Sequence, residues 1–298
     1  MRVLVIGNLS DKKCGFANYS EQTVTALQRA GHSVTAWDGT YSVVYARREA
    51  NTLRHYFLPD DAAEYDVIHT IWHPATLNHY AGCEWPVGPV LSLWNGCPQA
   101  SCPFAASQSI RWSVLEEQLH DHRWGFYAIP DWITDLPAPD PAFTVGWSGI
   151  RGDGLGELTE VCAANGWATN FSQPGAWFSL EDEVRRLARS TVNVCWYGAG
   201  NNDRSGAVAM CLASRRPQLI NRVPMFAHLK DQIDLYHAND EHVPLGEALR
   251  AIETEWQAGT LRHPRQTLQA FGWPALVRRL EDGWQRVKDG RPIYKGAR

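Results

Sequence analysis

The chain has 298 residues, 44% of them hydrophobic and 20% charged, with a formal net charge of -4 and a pI near 6.3. This composition excludes a disordered chain and a generally basic protein that coats nucleic acid, and the length allows two modest α/β domains. Seven cysteines at irregular spacing, an odd count in a chain too long to need cross-links, point to reduced thiols and a cytoplasmic setting. No apolar run reaches membrane-spanning length, and the apolar stretch after Arg2 is too short for a signal peptide, so a soluble protein without a transmembrane segment is expected.

Residues 2–6 form a buried first strand, and the helix that answers it is expected over 18–30, closed by Gly31. The loop between them holds Lys12, Lys13, Gly15 and Phe16. It has no Gly-x-Gly-x-x-Gly and is too long for the dinucleotide turn, which argues against a nicotinamide cofactor. A second strand follows at 32–37, a surface helix at 46–56 and a buried strand at 67–72, the last ending beside His69, Thr70, Trp72 and His73. His69 and His73 do not make a metal pair, because their spacing needs a helix and no third ligand lies nearby; a buried histidine with one hydrogen-bond partner is the expectation for His69. His73, just past the strand, suits an acceptor-side role. Residues 89–93 form another strand, 111–119 an amphipathic helix, and 125–129 the last strand of the first sheet.

Four prolines within residues 130–141 mark the domain boundary, placed at 137/138. A second β/α series then runs through a strand at 143–147, a loop SGIRGDGLG, a helix to 165, a strand at 168–171, a helix at 180–190 and a strand at 192–196. A glycine-rich stretch, YGAGNNDRSGAVAMCLASRRP over 197–217, comes next. Ser205 stands at the helix N-cap position, and the amides of Gly206, Ala207 and Val208 are free to meet an anion, with Arg204 beside them. A tight turn entering a packed helix accounts for the same local spacing. A strand at 217–221, a short helix at 224–230, an extended piece at 234–237 and amphipathic helices at 245–257 and 273–288 complete the chain. Most of the fourteen tryptophans are expected in the core, and several sit where a flat ring can stack on a sugar or base.

The loop ending in Ser205-Gly206-Ala207, its small-residue helix, and the Arg216-Pro217 that precedes an apolar strand resemble the donor-binding segment of GT-B glycosyltransferases, specifically the family 4 retaining group. Tyr65-Asp66-Val67-Ile68-His69, Ala128-Ile129-Pro130-Asp131-Trp132 and Phe143-Thr144-Val145-Gly146-Trp147-Ser148-Gly149 resemble further landmarks of that group in the same order, over residues 1 to about 230. The resemblance implies two doubly wound Rossmann-like domains facing across a cleft: an acceptor-side domain at 1–137 and a donor domain at 138–298. The last helix, about 273–287, would pack back on the first domain.

It also implies a hexosyltransferase-type enzyme that retains configuration and takes a UDP- or GDP-sugar as co-substrate, with no cofactor. The absence of any Asp-x-Asp points to catalysis without a metal. Arg151, Arg204, Ser205, Gly206 and Ala207 would hold the diphosphate, and Asp203 would orient the sugar. Gly15 and Phe16 would face the donor, and His73 or Asn95 would line the acceptor side. Three departures stand out. Trp94-Asn95 replaces the group's His-Asp, the lysine expected beside Arg151 is Asp153 or Gly154, and the two spaced glutamates fall on Asn202 and Met210. The compact size would suit a phage-type enzyme that glycosylates a hydroxymethylated base in DNA; small metabolites, lipids and polysaccharide ends stay open as acceptors. A nucleotide-sugar epimerase and a non-catalytic nucleotide-sugar-binding protein on the same fold are the alternatives.

Overall fold

A computed structural model of the chain describes residues 1–7, 9, 15–38, 61–72, 88–95, 109–113, 128–149, 154–173, 175–176, 178–197, 206–221, 223, 226, 229–238 and 243–291. Its contacts divide the chain into two units, Met1–Trp124 with Leu276–Arg298, and Gly125–Ala275.

In the first unit, apolar runs bounded by polar ends form five parallel strands: β1 (Arg2–Gly7), β2 (Ser33–Asp38), β3 (Val67–Trp72), β4 (Val90–Asn95) and β5 (Ser109–Ser113), in the order β2-β1-β3-β4-β5. Val3, Leu4, Val5, Val67 and Ile68 are fully buried, as near-continuous apolar strands of a covered parallel sheet must be. Helix α1 (Gly15–Arg29) follows β1. It packs so closely that a Cβ at Gly7 would lie 2.4 Å from Ser20 Oγ, and this is the physical reason for glycine at the end of β1.

Two expectations are corrected here. Residues 111–113 belong to strand β5 and not to a helix: Leu93↔Arg111, Trp94↔Trp112 and Asn95↔Ser113 are in register, so pairing with β4 overrides the helical spacing of the apolar residues. Ile129 does not close the first sheet. It pairs instead with Gly272 in the second unit, where its buried side chain joins the core with Ile133. Residues 125–137 accordingly group with the second unit. The helix expected at 46–56 lies outside the described residues.

The last helix of the chain, Trp273–Lys288, groups with the first unit from Leu276 onward. Its Trp284 is fully buried, with ring centroids 5.9 Å from His32 and 6.2 Å from His69. Glu281 bonds His32 Nε2 at 2.9 Å, and Lys288 Nζ reaches Asp66 at 3.2 Å.

His69 itself lies in the sheet, 1% exposed, with Nδ1 2.8 Å from Ser92 Oγ on the neighbouring strand, and Nε2 has no partner among the described residues. Burial pushes its pKa from 6.5 down to about 4. The native state therefore holds His69 neutral while the unfolded chain takes up a proton below the unfolded pKa, and stability is lost as pH falls from that value toward the folded one. Between about pH 7.5 and about 4.5 this group should remove roughly 2.5 kcal/mol. Urea denaturation of wild type and His69→Gln across that range checks it: the variant should lack this component, and an identical pH dependence in both proteins would contradict it.

The second unit carries β6 (Thr144–Trp147), α2 (Leu155–Asn165), β7 (Ala168–Phe171), α3 (Leu180–Leu187), β8 (Val192–Cys195), α4 (Gly206–Ala213), β9 (Gln218–Asn221), β10 (Tyr236–Ala238), α5 (Leu245–Gln257) and α6 (Arg265–Phe271); the last helix, α7 (Trp273–Lys288), follows. The sheet of this unit is parallel, in the order β10-β9-β8-β6-β7. One core contains Val184 and Leu187 of α3 with Val208, Cys211 and Leu212 of α4; the other contains Leu158 and Cys162 of α2 with Leu245, Leu249 and Ile252 of α5. Helices thus cover both faces of the sheet, the doubly wound arrangement.

Candidate functional site

The order of the second sheet reverses at β6. Helix α2 leads from β6 to β7 on one side, and the chain then returns through α3 to β8 on the other. Ligands of open α/β sheets bind at such a reversal, beyond the carboxyl ends of the strands. Here the helices α2 and α4 follow the neighbouring strands β6 and β8, and both begin on this side of the sheet.

Helix α4 is built almost wholly of small apolar residues, and Ala207, Val208, Ala209, Cys211, Leu212 and Ala213 are all buried. Packing therefore fixes the helix on its sides, while the amides of its first turn have no acceptor within the helix itself. At that end Gly206 is only half-buried, and among the described residues a Cβ there would meet nothing within 4 Å. The amides of a helix start and the positive end of the helix dipole are the groups that attract an anion where the approach is open.

Several contacts hold the chain in place around this end of the sheet. Gly154, at φ +74°, starts α2, and a Cβ on it would lie 2.3 Å from the carbonyl oxygen of Trp196. The Trp196 indole N–H donates to Glu157 in the first turn of α2 at 2.8 Å, which joins that turn to the end of β8. Asn221, the last residue of β9, grips the backbone of Tyr197: its Nδ2 donates to the Tyr197 carbonyl at 2.7 Å, and its Oδ1 accepts from the Tyr197 amide at 3.3 Å.

Arg186 of α3 engages all five of its N–H donors, three at the ends of β6 and β7 and two on Glu183 of its own helix. Nη2 donates to the carbonyl of Trp147 at 2.8 Å and to Glu183 at 2.6 Å, Nε donates to Glu183 at 2.8 Å, and Nη1 donates to the carbonyl and side-chain oxygen of Asn170. Beyond β6, Gly149 donates to Ser172 Oγ at 3.3 Å, and a Cβ at 149 would strike the Trp147 ring at 2.5 Å.

Of the residues singled out in the sequence, Gly206 opens α4 and Ala207 is buried in its first turn. Gly15 and Phe16 lie in the first turn of α1, after the carboxyl end of β1, and Asn95 is the last residue of β4, paired in register with Trp72. His73, Arg151, Asp203, Arg204 and Ser205 lie outside the described residues. Cys195 and Cys211 are free and buried; a hydrogen bond with Cys195, together with burial, holds the Cys211 thiol well above its usual range, so it is no nucleophile at neutral pH. Sequence reasoning missed Arg186 and Asn221, since each acts through partners far away in the chain.

Among the described residues no group of three or more His, Cys, Asp or Glu side chains is placed to hold a metal ion, and no helix is long and apolar enough to cross a membrane.

The fold, two units each with a parallel five-stranded sheet, is that of the GT-B glycosyltransferases. Similar solved structures include AviGT4, a glycosyltransferase involved in avilamycin A biosynthesis, 14% identical with a TM-score of 0.54, the match covering 97% of this chain and 98% of that one. An alpha-glucosyltransferase in complex with UDP and a 13-mer DNA containing an HMU base is 8% identical with a TM-score of 0.56, covering 96% and 99%. Sucrose-phosphate synthase from Thermosynechococcus elongatus is 12% identical with a TM-score of 0.57, covering 97% and 99%. No protein-family model and no curated protein matches the sequence.

Proposed function

We propose that the protein is a glycosyltransferase that moves a sugar from a UDP- or GDP-sugar to an acceptor hydroxyl, with retention of configuration and without a metal. The observation that carries the reading is the amino end of α4 at the carboxyl side of a reversed parallel sheet, with no obstruction at Gly206 among the described residues. In this reading the amides of Gly206 and Ala207, with Ser205, Arg204 and Arg151, stabilise the diphosphate as it leaves. Preorganised donors and fixed positive charge perform that task in place of a cation. Asp203 orients the sugar hydroxyls, Gly15 and Phe16 face the donor, and His73 or Asn95 lines the acceptor side. The acceptor proposed is a hydroxymethylated base in DNA, supported by the likeness in fold to an enzyme solved with UDP and a DNA containing an HMU base.

The test is transfer of radiolabelled sugar from UDP- and GDP-sugars to duplex DNA with and without hydroxymethylated bases. Transfer to the modified duplex alone is expected. EDTA should leave the rate unchanged; loss of transfer on chelation and its return with magnesium or manganese would contradict the electrostatic account. One observation favours a second reading, a binding protein without turnover: Asn202 and Met210 stand where the resembled group has glutamates. Tight donor binding with neither transfer nor slow donor hydrolysis would select it.

A further inference from the structure

We infer that Asn221 is a positioning residue for the donor site: its side-chain amide sets the direction in which the chain leaves β8 toward the start of α4. The inference rests on the donor reading above. Strands β8 and β9 pair through Asn193↔Gln218, Val194↔Leu219 and Cys195↔Ile220, and there the named strand β8 ends. One residue further along β9, Asn221 continues the pairing with its side chain, donating to the carbonyl and accepting from the amide of a single residue, Tyr197. Only a primary amide of this length offers a donor and an acceptor side by side in this way.

Asn221 is itself 3% exposed, so the bonds are shielded from competing water. The Tyr197 ring is set as well, edge-on to Phe226 with centroids 5.6 Å apart. Nine residues on, the packed sides of α4 fix Gly206. Tyr197, held by Asn221, and Gly206, held by the helix, thus stand on either side of 198–205 in the sequence. Holding the chain at Tyr197 and at Gly206 lowers the ordering cost of binding an anion at the start of α4.

Asn221→Ala and Asn221→Ser each remove the paired bonds without adding charge near an anion. Tyr236→Phe serves as control: it removes bonds to Glu255 and from the Arg262 amide at the amino end of β10, the opposite side of the sheet. Two quantities are read well below each protein's melting temperature, the exchange rate of the Tyr197 amide by NMR and the affinity for UDP and GDP by calorimetry. Both Asn221 variants should exchange the Tyr197 amide faster and bind the nucleotide that wild type binds about tenfold more weakly, while the control changes neither. Unchanged Tyr197 exchange, or wild-type nucleotide affinity in a folded Asn221 variant, would overturn the inference. Equal weakening in Tyr236→Phe would reduce it to general destabilisation and overturn it likewise. If Tyr197 exchange rises but wild type binds neither UDP nor GDP, the donor reading fails and takes this role of Asn221 with it, the clamp remaining as a structural contact.

Discussion

Arg186→Ala should cost about 3–5 kcal/mol of stability, the range for removing one partner of a buried ion pair. Glu183 is 4% exposed in its side chain and Arg186 18%, so the deletion leaves a carboxylate buried without its cation. It also removes the guanidinium donor from the carbonyl of Asn170 and from that of Trp147, which keeps only the Ser172 amide among the described residues. Replacing both partners together, Glu183→Leu with Arg186→Met, should cost clearly less than Arg186→Ala, since no charge is then left unpaired. Arg185→Ala, one residue away, breaks among the described residues only an exposed contact to Glu181 at 3.6 Å and should stay within about 0.5 kcal/mol of wild type. Urea denaturation of the three proteins checks the ranking, and an Arg186→Ala protein as stable as Arg185→Ala would contradict it.

Gly206→Asp should abolish donor binding and leave the fold intact. An added Cβ has no neighbour within 4 Å among the described residues, so the substitution creates no clash with them. A carboxylate in the first turn of a helix interacts favourably with the dipole, by about 0.3–1 kcal/mol. For a diphosphate seated on the same amides the carboxylate is both an obstacle and a like charge. The expected melting temperature is at or slightly above that of wild type. A melting temperature far below it would place the side chain in the core and contradict the open approach to α4.

Most strands and helices of the second unit were legible in the sequence because their apolar runs are short, bounded by glycine or polar residues, and alternate at the β/α period. Residues 168–171 and 245–257 match the observed elements to the residue. The helix Arg265–Phe271 was not legible, although Pro264 precedes it. Its cap comes from Asp234, whose carboxylate accepts from the amides of Gln266 and Thr267 at 2.7 and 3.0 Å. A cap supplied from a residue so distant in the chain leaves no local signature. Strand β5 failed for a related reason, since its pairing with β4 is a property of the sheet and not of the segment.

The place of Gly206 at the start of a helix was legible from its position between a polar loop and a run of small residues. Asn221 and Arg186 were not, because an asparagine at a strand end and an arginine on an amphipathic helix look ordinary until their partners, Tyr197 in one case and Trp147, Asn170 and Glu183 in the other, are known.

The central claim is that a nucleoside diphosphate lies on the start of α4. Calorimetric titration of UDP-glucose, UDP and GDP into wild type and Gly206→Asp, both shown to be folded, tests it most directly. Saturable binding of at least one of these to wild type and none to the variant is predicted. A folded Gly206→Asp protein that binds the same nucleotide with wild-type affinity would contradict the claim.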